Sequence, residues 1–200
     1  MSTSTSSAAI FAYHRYMIAL HGNQGTAALG WRDRESQVVR FDALAAIADL
    51  NDHTVLDAGC GHADLRAYLH RLYPTVTYCG VEQIPELMDE AVRRYGNCPQ
   101  TSFVCGDFVS DPIPTADYVI ASGSLNYYND DRDYIFNAIS KLYEHCKLGF
   151  VFNLLSHVVP NGLIVAYDPE VIMKHCRSLS KNVFLKNGYS DEDFTVFMYR

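Results

Sequence analysis

The sequence predicts an α/β fold: a seven-stranded, mainly parallel sheet with helices on both faces, closed by a C-terminal antiparallel hairpin. From residue 53 onward, seven short apolar runs have the length of strands, and segments with helical spacing separate most of the first five. The runs are continuously apolar, which is typical of strands covered on both faces of a parallel sheet. Only residues 189–192 separate the last two runs, too few for a crossover, so these two strands should form a hairpin.

The segment before residue 51 predicts a helical cap. Residues 1–8 are rich in Ser and Thr and are expected to form a disordered tail. A helix should follow, with apolar positions at Ile10, Tyr13, Met17 and Leu20. Helical spacing resumes within residues 32–50. We therefore predict a single domain in which residues 1–50 form the cap and residues 51–200 form the core.

The predicted core alternates strands and helices. The strands cover residues 53–58, 76–82, 101–106, 116–122, 148–155, 182–188 and 193–200. The helices cover residues 63–73, 85–95, 131–146 and 169–179. In an open α/β sheet, the ligand lies outside the carboxyl ends of the strands, where the strand order reverses.

Composition narrows the classes of partner. The 200 residues carry a formal net charge of −7, which disfavours a large nucleic-acid footprint. No apolar run reaches the ~20 residues that span a bilayer, and the N-terminus lacks the basic start of a signal peptide, so we expect no membrane partner. The six cysteines form no CxxC pair and no cluster with histidine, which predicts no metal site and favours a cytoplasmic location.

Three acidic residues, Asp57, Glu82 and Asp107, lie at or just past the ends of the first three predicted strands. Because these ends meet at one edge of a parallel sheet, the three side chains should face a common ligand. A carboxylate at Glu82 suits the two hydroxyls of a ribose, as it also does in NAD sites. Asp107 suits the exocyclic amine of an adenine, and the Phe108 amide then suits a ring nitrogen.

The loop after the first strand contains Gly59, Cys60 and Gly61, which permit a tight turn and a close approach of backbone N–H groups to a ligand. A pyrophosphate-binding loop has the pattern G-x-G-x-x-G. Here Asp57 precedes the loop and Asp64 occupies the position of the last glycine. Two carboxylates repel a pyrophosphate but suit a cationic group, which favours an aminoacyl sulfonium ligand over NAD.

The motifs VLDAGCG, GVEQ and CGDF, followed by ADYVIASGSLNYY, resemble those of class I S-adenosylmethionine-dependent methyltransferases, from about residue 53 to the end. The resemblance implies a Rossmann-like sheet of seven strands with the last antiparallel, and N-terminal helices that fold over the site as a lid. It also implies S-adenosylmethionine as cofactor and S-adenosylhomocysteine as product. The cofactor contacts then fall on Asp57, Gly59, Cys60, Gly61, Glu82, Gln83, Asp107, Phe108, Ser122 and Gly123. One departure is Ala63, where the family usually has a third glycine.

The segment after the fourth strand carries the catalytic candidates. Many small-molecule methyltransferases have His near the position of Asn126, and Asn is not a base. Its presence favours positioning of the acceptor, or a base contributed from elsewhere. Tyr127 either lines the pocket or caps the next helix, and His157, after the fifth strand, is the best remaining base.

The N-terminal segment offers further contacts. Arg40 lies one helical turn after Gln37, so both share a helix face, and its guanidinium suits the methionine carboxylate. The alternative is a surface arginine paired with Glu35 or Asp42. His14 and its neighbouring tyrosines are candidates for closing over the acceptor.

The sequence therefore favours a methyltransferase that acts on an O or N atom of a small molecule. The absence of an N-P-P-Y motif in SGSLNYY disfavours a nucleobase or glutamine acceptor. Three alternatives stay open: a protein or RNA methyltransferase, a non-catalytic module that binds S-adenosylmethionine or another nucleoside, and a nicotinamide-dependent reductase. The acids at 57, 64 and 107 count against the reductase.

Overall fold

A computed structural model describes residues 5–158 and 162–200 and contains a seven-stranded sheet. The strands are Thr54–Ala58 (β1), Thr77–Glu82 (β2), Thr101–Cys105 (β3), Ala116–Ala121 (β4), Cys146–Leu155 (β5), Asn182–Lys186 (β6) and Asp193–Tyr199 (β7). Their order across the sheet is β3-β2-β1-β4-β5-β7-β6. β7 pairs antiparallel with β5 and β6, whereas the other pairs are parallel. The predicted Rossmann-like sheet with its C-terminal antiparallel hairpin is confirmed.

The helices of the described residues also match the predicted pattern. They are Thr5–His21 (α1), Arg34–Ala45 (α2), Asp64–Leu72 (α3), Pro85–Tyr95 (α4), Tyr134–Glu144 (α5) and Pro169–Leu179 (α6). A short 3-10 helix, Thr26–Leu29, lies between α1 and α2. α2 begins where the Asp33 carboxylate accepts the Ser36 backbone N–H at 2.6 Å. Across residues 5–158 and 162–200, no helix combines the length and apolar character that crossing a bilayer requires.

The core has an apolar layer on each face of the sheet. On one face, Phe41 of α2 and Leu69 of α3 pack in the same cluster as Val55 of β1. On the other face, Ile139 of α5 packs in the cluster that contains Leu56. Adjacent residues of β1 enter opposite layers because side chains alternate along a strand. Coverage of both faces explains why the central strands, such as β1 and β4, are apolar throughout.

α1 differs from its prediction at its start and at its buried face. Residues 5–8 are helical, where we expected a disordered tail, and residues 1–4 lie outside the described residues. Extending an existing helix adds one hydrogen bond for each residue fixed, which favours this earlier start. Leu20 is 59% exposed, whereas Ile10 and His14 are buried. The predicted apolar stripe is therefore wrong at its C-terminal end: Ile10 packs with Ile84 and Leu87 at the start of α4, whereas Leu20 faces solvent.

The strand order reverses at β1. β1 lies between β2 and β4, so the chain proceeds outward from it in both directions. A crevice opens at the carboxyl ends of β1 and β4, as expected for such a switch point. α1, the 3-10 helix and α2 supply residues to this crevice from above.

Candidate active site

A cleft at the carboxyl ends of β1, β2 and β4 brings together most of the predicted cofactor residues. It is called the inner cleft below. The predicted residues that line it are Asp57, Gly59, Cys60, Gly61, Glu82, Gln83, Phe108, Ser122 and Gly123. The N-terminal segment covers it with Ile10, His14, Leu29, Trp31 and Gln37. Motifs that are far apart in the sequence converge here because the strand ends share one edge of the sheet.

The loop between β1 and α3 keeps the turn of a glycine-rich pattern. Gly59 has a φ of +79°, and a Cβ at this position would lie 2.4 Å from the Cβ of Ser124. Ala63 also lies in the left-handed region, with a φ of +59°, and it is fully buried. The conformation that a third glycine would favour is therefore retained by Ala63.

Asp57 is buried in the inner cleft and accepts a hydrogen bond from the Tyr78 hydroxyl at 2.6 Å. Burial raises the pKa of this carboxyl from its ordinary 3.8 to about 7. The Tyr78 hydrogen bond opposes that increase, and the charges of Glu82 and Asp64 add to it. A cation in the cleft favours the ionised form, so Asp57 suits a cationic ligand.

Glu82 joins the end of β2 to the loop after β1. Its Oε2 accepts the Gly61 backbone N–H at 2.9 Å, and its Oε1 accepts the Ile84 backbone N–H at 2.9 Å. Burial raises the pKa of this carboxyl, and the backbone hydrogen bonds lower it. Each oxygen of an ionised carboxylate accepts more than one hydrogen bond, so Glu82 keeps capacity for a ligand.

Asp107, unlike the other two strand-end acids, is not among the described residues that line the inner cleft. Its Oδ1 accepts the Val109 backbone N–H at 2.9 Å, and its Oδ2 accepts the Ser110 hydroxyl at 2.9 Å. Aspartate often closes turns through such bonds to residues two or three positions later. The structure therefore gives Asp107 a turn-forming role, and its contact with an adenine amine stays a prediction.

A second cavity, called the outer cavity below, adjoins the inner cleft. The residues that line both spaces are Leu29, Trp31, Gly123 and Tyr127. The outer cavity combines apolar side chains such as Leu155 with polar ones, among them Ser36, Asn153 and Asp193. This mixture is typical of pockets for small organic ligands.

Arg40 lines the outer cavity and is absent from the described lining of the inner cleft. Its Nη2 forms an ion pair with Asp193 of β7, and its Nη1 donates to the Ser36 carbonyl at 2.6 Å. Arg40 is only 6% exposed, and a buried guanidinium requires a carboxylate partner, which Asp193 supplies. Arg40 is therefore not a surface arginine paired with Glu35 or Asp42, and its contact with the methionine carboxylate stays a prediction. Its neighbour Gln37 does line the inner cleft.

The three predicted catalytic candidates all line the outer cavity. Asn126 is buried, and its Oδ1 accepts the Leu155 backbone N–H at 2.9 Å, which ties the segment after β4 to the end of β5. His157 is exposed. The Tyr127 hydroxyl lies 2.7 Å from Nε2 of His14 on α1. Sequence reasoning placed His14 near the acceptor but missed this pairing, for which a sequence separation of 113 residues offers no local signal.

Polar contacts hold the N-terminal segment against the core beside the inner cleft. Asn23 accepts a hydrogen bond from His62 Nε2 at 2.8 Å and donates to the Glu86 carbonyl at 2.7 Å. Arg94 donates to the Gln24 carbonyl at 2.7 Å. Burial, aided by the charge of Arg94, lowers the pKa of His62 to about 4, so a neutral imidazole makes this contact near pH 7.

Known proteins share this arrangement of sequence and fold. The model of a methyltransferase-domain family matches residues 55–149, which contain most of the inner cleft. A Mycobacterium tuberculosis protein that is provisionally named a methyltransferase is 28% identical over 156 residues, which cover 72% of this chain and 92% of that protein. These matches support a class I S-adenosylmethionine-dependent methyltransferase.

Two further methyltransferases extend the comparison. The trans-aconitate 2-methyltransferase of Shigella dysenteriae is 25% identical over 151 residues, and the match covers 75% of this chain but only 52% of that protein. The crystal structure of magnesium protoporphyrin IX methyltransferase from Synechocystis PCC 6803, with bound S-adenosylmethionine, superposes with a TM-score of 0.72 at 15% identity. It covers 100% of this chain and 99% of that one, and at such identity the likeness shows the fold. The predicted family, enzyme class and cofactor are confirmed.

The inner cleft of this methyltransferase fits S-adenosylmethionine. Asp57, Asp64 and Glu82 line it, and the described lining includes no Lys or Arg. This charge suits a cationic ligand without phosphate and disfavours the pyrophosphate of a dinucleotide. Within the described residues, the buried Ser122 Oγ has no hydrogen-bond partner, which leaves it available to a polar atom of the cofactor.

Proposed function

We propose that this methyltransferase transfers a methyl group to an O or N atom of a small molecule held in the outer cavity. The observation that carries this proposal is the boundary between the two spaces, where Gly123 and Tyr127 line both. A methyl donor in the inner cleft and an acceptor in the outer cavity then meet at this boundary. Catalysis by positioning requires such a meeting, because displacement needs the reacting atoms close and aligned.

The inner-cleft residues hold the cofactor in this proposal. Glu82 accepts the ribose hydroxyls, and Asp57 faces the cationic methionine part. The other proposed contacts are Gly59, Cys60, Gly61, Gln83, Phe108, Ser122 and Gly123. When bound, S-adenosylmethionine supplies an activated methyl group. Residues 1–50 act as a cap on the core of residues 51–200, and their His14, Leu29 and Trp31 exclude water from the cleft.

A small acceptor agrees better with this chain than a macromolecule does. The formal net charge of −7 offers little attraction to RNA. The names of two similar methyltransferases, those for trans-aconitate and magnesium protoporphyrin IX, also describe small acceptors. The six free cysteines agree with a cytoplasmic location, which belongs to the same proposal.

The first test is calorimetry with S-adenosylmethionine, S-adenosylhomocysteine and NADH. We expect the first two to bind and NADH to give no heat. The protein is then incubated with methyl-labelled S-adenosylmethionine and a metabolite extract, and the products are separated by ultrafiltration. A labelled small-molecule product other than S-adenosylmethionine, absent when the protein is omitted, supports the proposal. Label confined to protein or RNA, or an absence of transfer despite cofactor binding, contradicts it.

A further inference from the structure

The imidazole of His14 is oriented by two hydrogen bonds. Its Nδ1 lies 3.0 Å from the Ala28 carbonyl, which can only accept, so Nδ1 carries the proton. In the neutral ring, Nε2 is then an acceptor, and the Tyr127 hydroxyl donates to it at 2.7 Å. His14 is 4% exposed. The Tyr127 hydroxyl is therefore already hydrogen-bonded to a base, and the Ala28 carbonyl fixes the tautomer of that base.

The pair lies where the chemistry of the proposed function takes place. His14 lines the inner cleft, and Tyr127 lines both the inner cleft and the outer cavity. Asn126, the neighbour of Tyr127, uses its side-chain oxygen for the Leu155 N–H and has no basic nitrogen. Tyr127 lies at the boundary between the two cavities, where it can contact an acceptor, and His14 is the base to which its hydroxyl is bonded.

We propose that Tyr127 and His14 form a proton relay for the acceptor, an inference that rests on the proposed methyl transfer. The lone pair of the acceptor atom forms the bond to the methyl carbon, and the carbon–sulfur electron pair stays on the sulfur. The acceptor proton passes to the Tyr127 hydroxyl as the tyrosine proton passes to Nε2 of His14. The sulfonium charge is lost and His14 becomes an imidazolium, so the total charge is unchanged. His14 later releases the proton to water.

The relay defines a class of acceptor. It serves an acceptor atom that bears both a proton and a lone pair, as the oxygen of a hydroxyl or the nitrogen of a neutral N–H amine does. A carboxylate acceptor has no such proton near pH 7 and gains nothing from a base. The class is therefore hydroxyl or amine compounds, methylated on O or N.

Charged and titratable groups from several elements face the pair. Tyr13 of α1 lies edge-on to His14, with ring centroids 5.1 Å apart. Burial raises the pKa of Tyr127, and the charges of Tyr13 and of Glu82 on β2 add to that increase. Burial lowers the pKa of His62, in the loop before α3, and the charge of His14 adds to that decrease. Burial lowers the pKa of His14, and its bond to the Ala28 carbonyl raises it, so the imidazole is neutral near pH 7.

The pairing itself is tested without any acceptor, by NMR of the protein labelled with 15N in its histidine rings. We expect His14 to show the Nδ1-protonated tautomer. Tyr127→Phe should raise the pKa of His14, because the lost hydrogen bond favours the neutral ring. An Nε2-protonated tautomer, or a His14 pKa that Tyr127→Phe leaves unchanged, overturns the relay.

The relay is then tested on labelled methyl transfer to a metabolite extract. His14→Gln and Tyr127→Phe should each reduce the rate about 100-fold or more, as for loss of a general base. S-adenosylhomocysteine affinity should stay within about threefold. The wild-type rate should rise with pH up to the pKa of His14, and His14→Gln should lose this dependence.

Asn23→Ala is the matched control, because it removes another contact between the N-terminal segment and the core but leaves the relay intact. Its rate and pH profile should resemble those of the wild type. If Asn23→Ala and His14→Gln reduce the transfer rate equally and leave the pH profile unchanged, the Tyr127–His14 pair only holds the N-terminal segment against the core. A wild type that transfers no methyl group contradicts the proposed function instead, and the NMR result separates the two failures.

Discussion

Arg40 of α2 and Asp193 of β7 form a buried ion pair that joins the N-terminal segment to the C-terminal hairpin. The side chains are 8% and 1% exposed. The carboxylate also accepts hydrogen bonds from Asn153 at 3.3 Å and from Ser190 at 3.1 Å. The guanidinium lies 5.2 Å from the ring centroid of Trp31. The pair therefore fixes one wall of the outer cavity, and its two charges largely cancel there.

Breaking this pair from either side should destabilise the fold. Asp193→Asn leaves the Arg40 charge buried without a carboxylate, and the expected loss is about 3–5 kcal/mol in the free energy of unfolding. Arg40→Met should cost a similar amount, and the double variant should cost clearly less than the sum. Urea unfolding measures all three. The exposed pair Lys147–Asp117 provides the control, since Lys147→Met should cost at most about 1 kcal/mol. A loss below about 1 kcal/mol for Asp193→Asn contradicts the buried pair.

The inner cleft was largely predictable because its signals are local. Gly59, Gly61 and Glu82 each follow or end an apolar run, and the parallel sheet alone brings such strand ends together. Asp107 has the same local signal but belongs to a turn, because its carboxylate accepts hydrogen bonds from the Val109 N–H and the Ser110 hydroxyl. A strand-end acid and a turn-closing acid are identical in the sequence pattern.

The outer cavity was much less predictable because its pairs come from distant segments. Arg40 is predicted to bind a carboxylate of the ligand, and nothing local in the sequence indicated that its guanidinium also pairs with Asp193 of the same chain. Likewise, Tyr127 and His14 were both candidates, yet their contact depends on how α1 packs over the sheet edge. Such contacts are fixed by tertiary packing, which periodicity does not report.

Glu82→Ala should weaken the binding of S-adenosylhomocysteine about 10- to 150-fold. The reason is that hydrogen bonds to a charged group contribute roughly 1.5–3 kcal/mol each, and the variant also loses the bonds to the Gly61 and Ile84 N–H groups. Calorimetry at constant pH measures the change. Asp89→Ala, an exposed carboxylate on α4, is the control and should bind as the wild type does. Affinity within twofold in Glu82→Ala means that this carboxylate does not hold the ribose.

Asp57 should make the stability of the ligand-free protein fall as pH rises from about 4 to about 7. Its pKa is 3.8 ordinarily and about 7 in the fold, so in this window the folded state binds a proton that the unfolded state does not. The loss is on the order of 2–4 kcal/mol, since each pKa unit corresponds to 1.36 kcal/mol. Urea unfolding between pH 4 and 8 measures it. Asp57→Asn does not titrate and should flatten this slope. Equal slopes in the two proteins rule out a raised pKa at Asp57.

The same carboxyl should couple cofactor affinity to pH. S-adenosylmethionine is cationic and favours the ionised form of Asp57, so its affinity should increase as pH rises through 7. S-adenosylhomocysteine lacks the sulfonium charge and should respond less. Calorimetry with both ligands at pH 6 and pH 8 measures the difference. In Asp57→Asn the two ligands should respond alike, and a persistent difference assigns the effect to another group.

Gly123→Ala should disturb the boundary between the two cavities through Trp31. Gly123 has a φ of +70°, and a Cβ there would lie 2.9 Å from Cη2 of the Trp31 ring. The left-handed conformation alone costs an alanine roughly 1–2 kcal/mol. Gly188→Ala measures that cost separately, because Gly188 has a φ of +78° and no atom of the described residues would lie within 4 Å of a Cβ added there.

Trp31 is the only tryptophan of the chain, so its fluorescence reports the displacement directly. Gly123→Ala should shift the emission to longer wavelength as the ring moves toward solvent, and it should lose more stability than Gly188→Ala. The emission of Gly188→Ala should match that of the wild type. Because Trp31 lines both cavities and contacts the guanidinium of Arg40, its movement should also weaken S-adenosylhomocysteine binding in Gly123→Ala. Equal stability losses and unchanged emission in both variants would mean that Trp31 does not close this boundary.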